Sequence, residues 1–310
     1  MTATKTQKKT TKVNSFVVQK YIFIAVLLLI PILNWALFWL TVNISSIGLA
    51  FQDQRTHEFT WRNFKDFWDI ISKQDGELYI ALSNTFKYFF TGLFIATPLA
   101  LIVAYFIYKK IAWHKFFLIV FYLPCIISGL VMVKVYTEFL APNGPLAQLF
   151  NLSIPPEGLF ARSSSATPAI IVYTIWTGIG GGNMLLFIGA MSRVPIEVLE
   201  SAKLEGCGPF REIVSIIAPL IWPTISTMII LSFTGIFGAS GPILLFGTDG
   251  QYKTMTLSFW IFKQVYGVGE FGGSGSYNLV SATGLCFTLV GVPIILLTHW
   301  LVEKVPSVEY

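Results

Sequence analysis

Six long apolar segments constrain this 310-residue sequence more than any other feature. A helix needs about 20 mostly apolar residues to cross the hydrocarbon core of a bilayer, and each segment reaches that length. The segments cover residues 21–43, 86–108, 116–140, 168–191, 213–237 and 278–301. The sequence therefore predicts an all-α membrane protein with six transmembrane helices.

Composition favours lipid rather than water around these helices. Charged residues make up 12% of the chain and hydrophobic residues 54%. A soluble domain carries roughly 25% charged residues. So few charges leave too much apolar surface for a water-soluble fold, whereas lipid tails are themselves apolar. We therefore expect one membrane domain rather than several soluble ones.

The positions of the lysines predict the orientation. They concentrate before the first segment and in the loop after the second: Lys5, Lys8, Lys9, Lys12, Lys20, Lys109, Lys110 and Lys115. Cytoplasmic loops are rich in Lys and Arg, so both regions are expected inside the cell. The first segment is too long for a signal peptide and lacks a cleavage site, so we expect a retained helix. The predicted layout is a cytoplasmic tail 1–20, a first helix 21–43, an external loop 44–82, a core 83–305 with five helices and a cytoplasmic loop 192–212, and a cytoplasmic end 306–310.

Two regions between the apolar segments carry patterns of their own. In the loop 44–82, apolar residues fall at helical spacing among charged ones: Phe64, Phe67, Trp68 and Ile71. This pattern predicts an amphipathic helix, lying either on the outer membrane interface or against the bundle.

The region 238–278 is rich in glycine and holds one short apolar run, 255–262. It predicts an external loop with a short helix, or alternatively a re-entrant segment.

The stretch from Pro195 to Pro219 predicts two helices joined by a sharp turn. Pro195 suits a helix start, and Glu200 suits an early turn of the helix, where the dipole favours negative charge. Gly206 suits a helix end, since glycine takes the left-handed conformation at little cost. Gly208 and a following proline then begin a new helix. Such a rigid, exposed unit suits docking into a groove of another protein, although a plain helical hairpin has the same pattern.

The same stretch resembles the EAA motif of bacterial ABC importer permeases. That motif reads Glu-Ala-Ala, three residues, Gly, nine residues, then Ile-x-x-Pro. Both gaps are the same in this chain, which departs from the motif by a serine in place of the first alanine and by Ala218 in place of the usual leucine. The matching positions are Glu200, Ser201, Ala202, Gly206, Ile216 and Pro219. In the family this loop forms the coupling helix, which sits in a cleft of the cytoplasmic ATPase.

Further similarities cover roughly residues 80–305. Asn84-Thr85 resembles the start of the family's permease domain, and the segments 140–146, 175–178 and 195–197 resemble its sugar-transporting branch. The resemblance implies the type I permease fold and a place in the bacterial cytoplasmic membrane. It also implies several partners, namely a second permease (homologous or identical), a dimeric ATPase that uses ATP and Mg, an external binding protein, membrane lipid and a carbohydrate cargo. No cofactor is expected on this chain.

A glycine cluster in the fourth segment indicates where cargo would pass. Glycines at 178 and 180–182, next to Asn183, either allow close helix packing or unwind the helix beside a cavity. By resemblance to maltose-type permeases, sugar contacts fall in this helix and in the one after the motif. The positions implied are Trp176, Gly182, Asn183, Ser232 and Ile236. Ordinary packing is the alternative for each of them.

Lys134 and Glu138 lie four residues apart near the outer end of the third segment. Ionisable groups within a span are candidates for function by default, and these two are candidates for an outer gate. The alternative is a peripheral ion pair whose lysine reaches towards the membrane surface.

Other classes of function find little support. The chain has no G-x-x-x-x-G-K-[ST] phosphate cradle, and its three cysteines and three histidines are scattered without metal-ligand spacing. No nucleophile–base arrangement stands out, and the basic residues are too sparse for nucleic-acid binding. An ion-coupled secondary transporter and an amino-acid or peptide permease remain as alternatives. The sequence names neither the sugar nor the second permease.

Overall fold

A computed structural model describes residues 15–73, 76–151, 153–238, 242–246, 253–266 and 277–305. Across these ranges the chain forms helices and no β-strand, with one isolated antiparallel bridge between Gln52 and Phe59. Three sequence predictions lie outside the described residues. They concern most of the basic tail (Lys5, Lys8, Lys9, Lys12), the glycines of 267–276 and the C-terminal end 306–310.

The described helices, in chain order, are α1 (Val18–Ala50), α2 (Arg62–Ile71), α3 (Glu77–Tyr108), α4 (His114–Ile126), α5 (Gly129–Phe139), α6 (Pro145–Phe150), α7 (Ala166–Met191, broken at Gly180), α8 (Ile196–Leu204), α9 (Pro209–Leu220), α10 (Trp222–Thr234), α11 (Leu257–Val265) and α12 (Tyr277–Glu303). Short π-helical turns interrupt α1 at Trp35–Leu40, α3 at Gly92–Ala96 and α9 at Ile213–Ile217.

Four of these helices, α1, α3, α7 and α12, are long and apolar enough to cross a membrane. Two further candidates are bent pairs, α4 with α5 at 111° and α9 with α10 at 80°. The count reaches six when each bent pair is taken as one span. The all-helical membrane fold is thus confirmed, and the third and fifth predicted segments are bent rather than straight.

The bend between α9 and α10 has a clear cause in the sequence. Pro219 and Pro223 stand on either side of Ile221, where the helix is interrupted. A proline cannot donate a backbone hydrogen bond, and its ring crowds the preceding turn, so a helix kinks there.

The largest buried cluster lies between α3, α7 and the segment that leads into α10. Ala100 and Ala104 on α3 and Met184 and Phe187 on α7 are 0–1% exposed, and Ile217 of α9 is 0% exposed. Small side chains on α3 let α7 approach closely, which is how helices pack where lipid removes the hydrophobic driving force between them.

Two asparagines fix the end of α1 to the rest of the bundle. Nδ2 of Asn63 donates to the carbonyls of Ala50 and Gln52, both at 2.9 Å. Nδ2 of Asn278 donates to Gln52 at 2.8 Å and to Leu49 at 3.0 Å. These bonds satisfy carbonyls that the helix end leaves free. The apolar body of α1 is by contrast unburied within this chain.

The predicted amphipathic helix is present as α2. Phe67 is 6% exposed and meets Phe287 of α12 edge to face at 5.8 Å, whereas Trp68 points outwards with 68% exposed. The helix therefore packs on the bundle through its Phe67 face. The short apolar run near residue 257 forms α11, in which Trp260 is 2% exposed.

Candidate functional site

The candidate coupling unit begins with α8, which follows Pro195 as predicted. Leu199 and Ala202 are buried at 5% and 6% exposure and hold one face of α8 against the bundle. Glu200 and Ser201 lie on the opposite, exposed face. The buried face thus holds α8 against the bundle, and the exposed face leaves Glu200 accessible to another molecule.

The turn after α8 has the glycine geometry that the sequence predicts. Gly206 has a φ of +75°, the left-handed region that side chains with a Cβ avoid. The N–H of Cys207 bonds the carbonyl of Ala202 at 3.0 Å, and the N–H of Gly206 bonds that of Lys203 at 3.1 Å. These are the two hydrogen bonds of a Schellman motif, which closes a helix C-terminus. Gly208 then adopts φ −74° and starts α9.

Two large apolar side chains flank this turn and point away from the bundle. Leu204 is 90% exposed and Phe210 is 73% exposed. An apolar pair on a rigid turn, next to exposed acidic groups, is a surface suited to insertion into a groove.

The last two motif residues connect the turn to the membrane helices. Ile216 is partly buried against the main buried cluster. It lies in the π-helical turn Ile213–Ile217, directly before Pro219. Because Pro219 has no N–H to donate, the regular helical pattern is interrupted at this point. The motif thus ends at the bend where α9 meets α10.

The glycine cluster breaks α7 and brings α4 into contact with it. Gly180 is extended (φ −77°, ψ −160°) and Gly181 has φ +73°. A Cβ on Gly180 would overlap the backbone oxygen of Phe121, and one on Gly181 would overlap Sγ of Cys125. Both effects expected from the cluster, unwinding and close approach, are therefore present.

The predicted cargo residues of α7 fall on either side of this break. Gly182 and Asn183 are exposed, and a Cβ built on Gly182 would meet nothing within 4 Å. Trp176 is partly buried in an aromatic cluster, where its ring lies 6.3 Å from Tyr136 and 6.2 Å from Tyr173. An exposed amide thus follows the break, and a partly covered indole precedes it.

The predicted cargo residues after the motif lie in a different setting. Ser232 is partly buried and donates to the carbonyl of Met228 at 2.8 Å. Ile236 is 4% exposed and packs with Phe89 and Leu93, a cluster separate from that of Trp176. The structure thus gives Ile236 a packing role within this chain, and it also lines a mostly apolar cavity of about 330 Å³.

The two outer-gate candidates form an ion pair. Nζ of Lys134 lies 2.7 Å from Oε1 of Glu138, and the side chains are 72% and 64% exposed. In this chain the pair lies on an open face of α5.

A polar anchor that sequence reasoning did not assign lies near the N-terminal end of α3. Nδ2 of Asn84 donates to the carbonyls of Lys253 at 2.7 Å and Met255 at 2.8 Å. Oγ1 of Thr85 accepts from the N–H of Leu257 at 2.9 Å. Both side chains are buried, at 2% and 0% exposure. The two polar residues in an otherwise apolar helix were a sequence signal for such an anchor. The segment that they bind, however, lies far along the chain.

Within the described ranges, no group of three His, Cys, Asp or Glu residues is placed to hold a metal ion. The features that stand out are the exposed turn at Gly206 and the broken helix at Gly180.

Comparisons with known proteins agree on one family. The family model described as "binding-protein-dependent transport system inner membrane component" matches residues 88–306. Protein LplB of Bacillus subtilis is 24% identical over 289 residues, which cover 90% of this chain and 88% of that protein. The diacetylchitobiose uptake system permease protein NgcF of Streptomyces coelicolor is 26% identical over 62% of this chain and 55% of its own length.

A solved structure shows the same fold at low sequence identity. A bacterial ABC transporter involved in the import of the acidic polysaccharide alginate superposes with a TM-score of 0.72, at 17% identity, over 94% of this chain and 98% of that one. The match to the family model covers well over half of the sequence and includes the whole candidate coupling unit. This chain belongs to the family of inner-membrane components of binding-protein-dependent transport systems, and it is a permease subunit.

Proposed function

We propose that this chain carries a carbohydrate, of the oligosaccharide class, into the bacterial cytoplasm by alternating access that a separate ATPase drives. The observation that carries the proposal is the rigid turn at Gly206, which presents Leu204 and Phe210 to solvent within the EAA-like motif. An exposed apolar pair on a rigid turn suits docking into a groove of a cytoplasmic ATPase.

The proposed coupling runs from this turn to the bend of the fifth span. The ATPase, closing on ATP and Mg, displaces the docked turn with Glu200 and Ser201 at its surface. The displacement reaches the membrane through Ile216 and Pro219, which lie at the junction with α10. Because the junction is already bent by 80°, a change in its angle requires no new break in a helix.

The broken helix α7 supports a carbohydrate as cargo. Backbone freed by a break is tolerated at membrane depth where it is buried in protein or lines a water-filled cavity. The break itself is buried against α4, whereas Gly182 and Asn183, which follow it, are exposed. The exposed amide of Asn183 offers hydrogen bonds to hydroxyls, and the ring of Trp176 offers a face for C–H groups. The similar proteins named for diacetylchitobiose uptake and for alginate import support the same class.

The proposed assembly contains a second permease, two ATPase subunits and an external binding protein. The unburied apolar surface of α1 supports a partner within the membrane, either lipid or the second permease. The basic loop after α3, with Lys109 and Lys110, supports a cytoplasmic position for the turn at Gly206 and for both termini. The proposal assigns Lys134 and Glu138, an exposed ion pair on α5, to the outer gate.

Purification in mild detergent tests this assembly. The tagged chain is isolated from its host, and its partners are identified by mass spectrometry and quantified. We expect an ABC ATPase and a second permease in stoichiometric amounts, and an associated binding protein that binds oligosaccharides rather than amino acids or peptides. Isolation of the chain alone, followed by transport on an ion gradient without ATP, would support a secondary transporter instead.

A further inference from the structure

One carboxylate of the coupling region is buried. Glu212, six residues after Gly206, has a side chain only 7% exposed. Moving an isolated carboxylate out of water is very unfavourable, so a buried one requires close partners. The partners of Glu212 come from the inner end of α3, more than 100 positions earlier in the chain.

Each oxygen of this carboxylate has a partner at the C-terminal end of α3, Oε1 through an ion pair with Lys109, which directly follows the helix, and Oε2 through a hydrogen bond. Nζ of Lys109 lies 2.5 Å from Oε1, and the hydroxyl of Tyr105 donates to Oε2 at 3.2 Å. Tyr105 and Lys109 are one helical turn apart, and the ammonium of Lys109 lies 5.8 Å from the centre of the Tyr105 ring. The three side chains form a compact network between α3 and the start of α9.

Apolar side chains border this network on the Tyr105 side. Tyr105 belongs to the main buried cluster, together with Val194, Leu199 and Ile213, which are all 5% exposed. Leu199 lies on α8 and Ile213 on α9, so the cluster includes both arms of the coupling unit. The carboxylate is thereby shielded from water, while the Lys109 side chain keeps 30% of its surface exposed.

In the other ion pairs of the described parts of the chain, the carboxylate is more exposed. Glu157 and Arg162, for example, pair with 43% and 51% of their side chains exposed. Exposed pairs contribute little to stability. A buried pair is often replaceable by apolar residues without loss of stability, so its burial at this junction favours a role in fixing the arrangement of two elements.

We propose that Glu212 is a positioning residue that joins the coupling unit to α3, so that the unit and this membrane helix move as one body when the ATPase closes. The inference rests on the proposed function, because it requires an ATPase that displaces the turn at Gly206. It assigns to Lys109 and Tyr105 a mechanical role beyond orientation and packing.

Reconstituted complex, purified with its ATPase and binding protein, tests the role. One variant combines Glu212→Leu with Lys109→Met, which removes both charges and keeps similar volumes. Tyr105→Phe removes one hydrogen bond, and Lys109→Arg retains the ion pair. The control combines Glu157→Leu with Arg162→Met at the exposed pair. ATP hydrolysis, substrate import and thermal unfolding are measured for every variant.

The proposal predicts that the double apolar variant folds and hydrolyses ATP but imports less substrate per ATP by about fivefold or more, within the range of energetic coupling between sites. Tyr105→Phe should give a smaller fall in the same ratio, while Lys109→Arg and the control should retain the wild-type ratio. An unchanged ratio in the folded double variant would overturn the role. If that variant does not fold, the ratio for Tyr105→Phe decides. Absence of ATP-dependent import in the wild type would instead count against the proposed function.

Discussion

Replacing Gly206 by alanine isolates the contribution of one backbone conformation to coupling. The residue has φ +75° and no atom lies within 4 Å of the position its Cβ would take, so the substitution adds strain without a clash. A left-handed L-residue costs about 1–2 kcal/mol relative to its preferred conformation. Gly208 supplies a matched control, because it also faces open space but has φ −74°.

The strain can lower either of two measurable free energies. If the turn keeps its strained conformation, the free energy of unfolding of the permease falls. If the turn relaxes in the free permease, the strained conformation must be restored when the ATPase docks, and the binding free energy is weakened. Since about 1.4 kcal/mol corresponds to a factor of ten, full transfer to docking weakens ATPase binding roughly 5- to 30-fold. We expect no such effect for Gly208→Ala and partial recovery for Gly206→Asn, since asparagine tolerates the left-handed region.

Titration of the ATPase onto permease in nanodiscs, with thermal unfolding of the same samples, provides both quantities. The reasoning would be refuted if Gly206→Ala and Gly208→Ala were alike in affinity and in stability. It would also fail if Gly206→Asn behaved worse than Gly206→Ala, because the strain argument orders these two variants the other way.

Three further predictions concern the membrane helices. Gly180→Ala should lower stability by about 1–3 kcal/mol, since the new Cβ overlaps the backbone of α4, whereas Gly182→Ala should unfold like the wild type in detergent melting experiments. Asn84→Ala should lower the free energy of unfolding by about 1–3 kcal/mol, because the buried carbonyl of Met255 loses its hydrogen-bond donor. The neighbouring Ser83→Ala should lower it much less in the same melting experiments. Asn183→Leu should lower import while leaving ATPase binding intact, and normal import by this variant would remove the amide from the proposed cargo path.

Local features of the fold were predictable from the sequence. The apolar segments locate the membrane helices because length and hydrophobicity alone decide what a bilayer accepts. The turn at Gly206 was predictable because glycine, the preceding acidic helix and the following Gly-Pro act within a few residues. The break at Gly180 was one of two outcomes that the local glycine cluster left open, the other being close helix packing.

Features that depend on distant partners were not predictable. Nothing in the sequence indicates that Asn84 contacts Lys253, which is 169 positions away, or that Tyr105 contacts Glu212, which is 107 positions away. From the sequence, Lys109 predicts only the orientation of the chain. Its ion pair with Glu212 depends on the packing of α3 against the coupling unit. The placement of Ile236 in a packed cluster depends likewise on the tertiary arrangement.

ATP-dependent uptake tests the central claim most directly. The purified complex is placed in proteoliposomes with ATP and Mg in the lumen, which represents the cytoplasm, and with binding protein and labelled oligosaccharide outside. The account predicts uptake that requires luminal ATP, is insensitive to collapse of ion gradients and falls in the Gly206→Ala variant but not in Gly208→Ala. Uptake that persists without ATP and stops when an ion gradient is collapsed would contradict it.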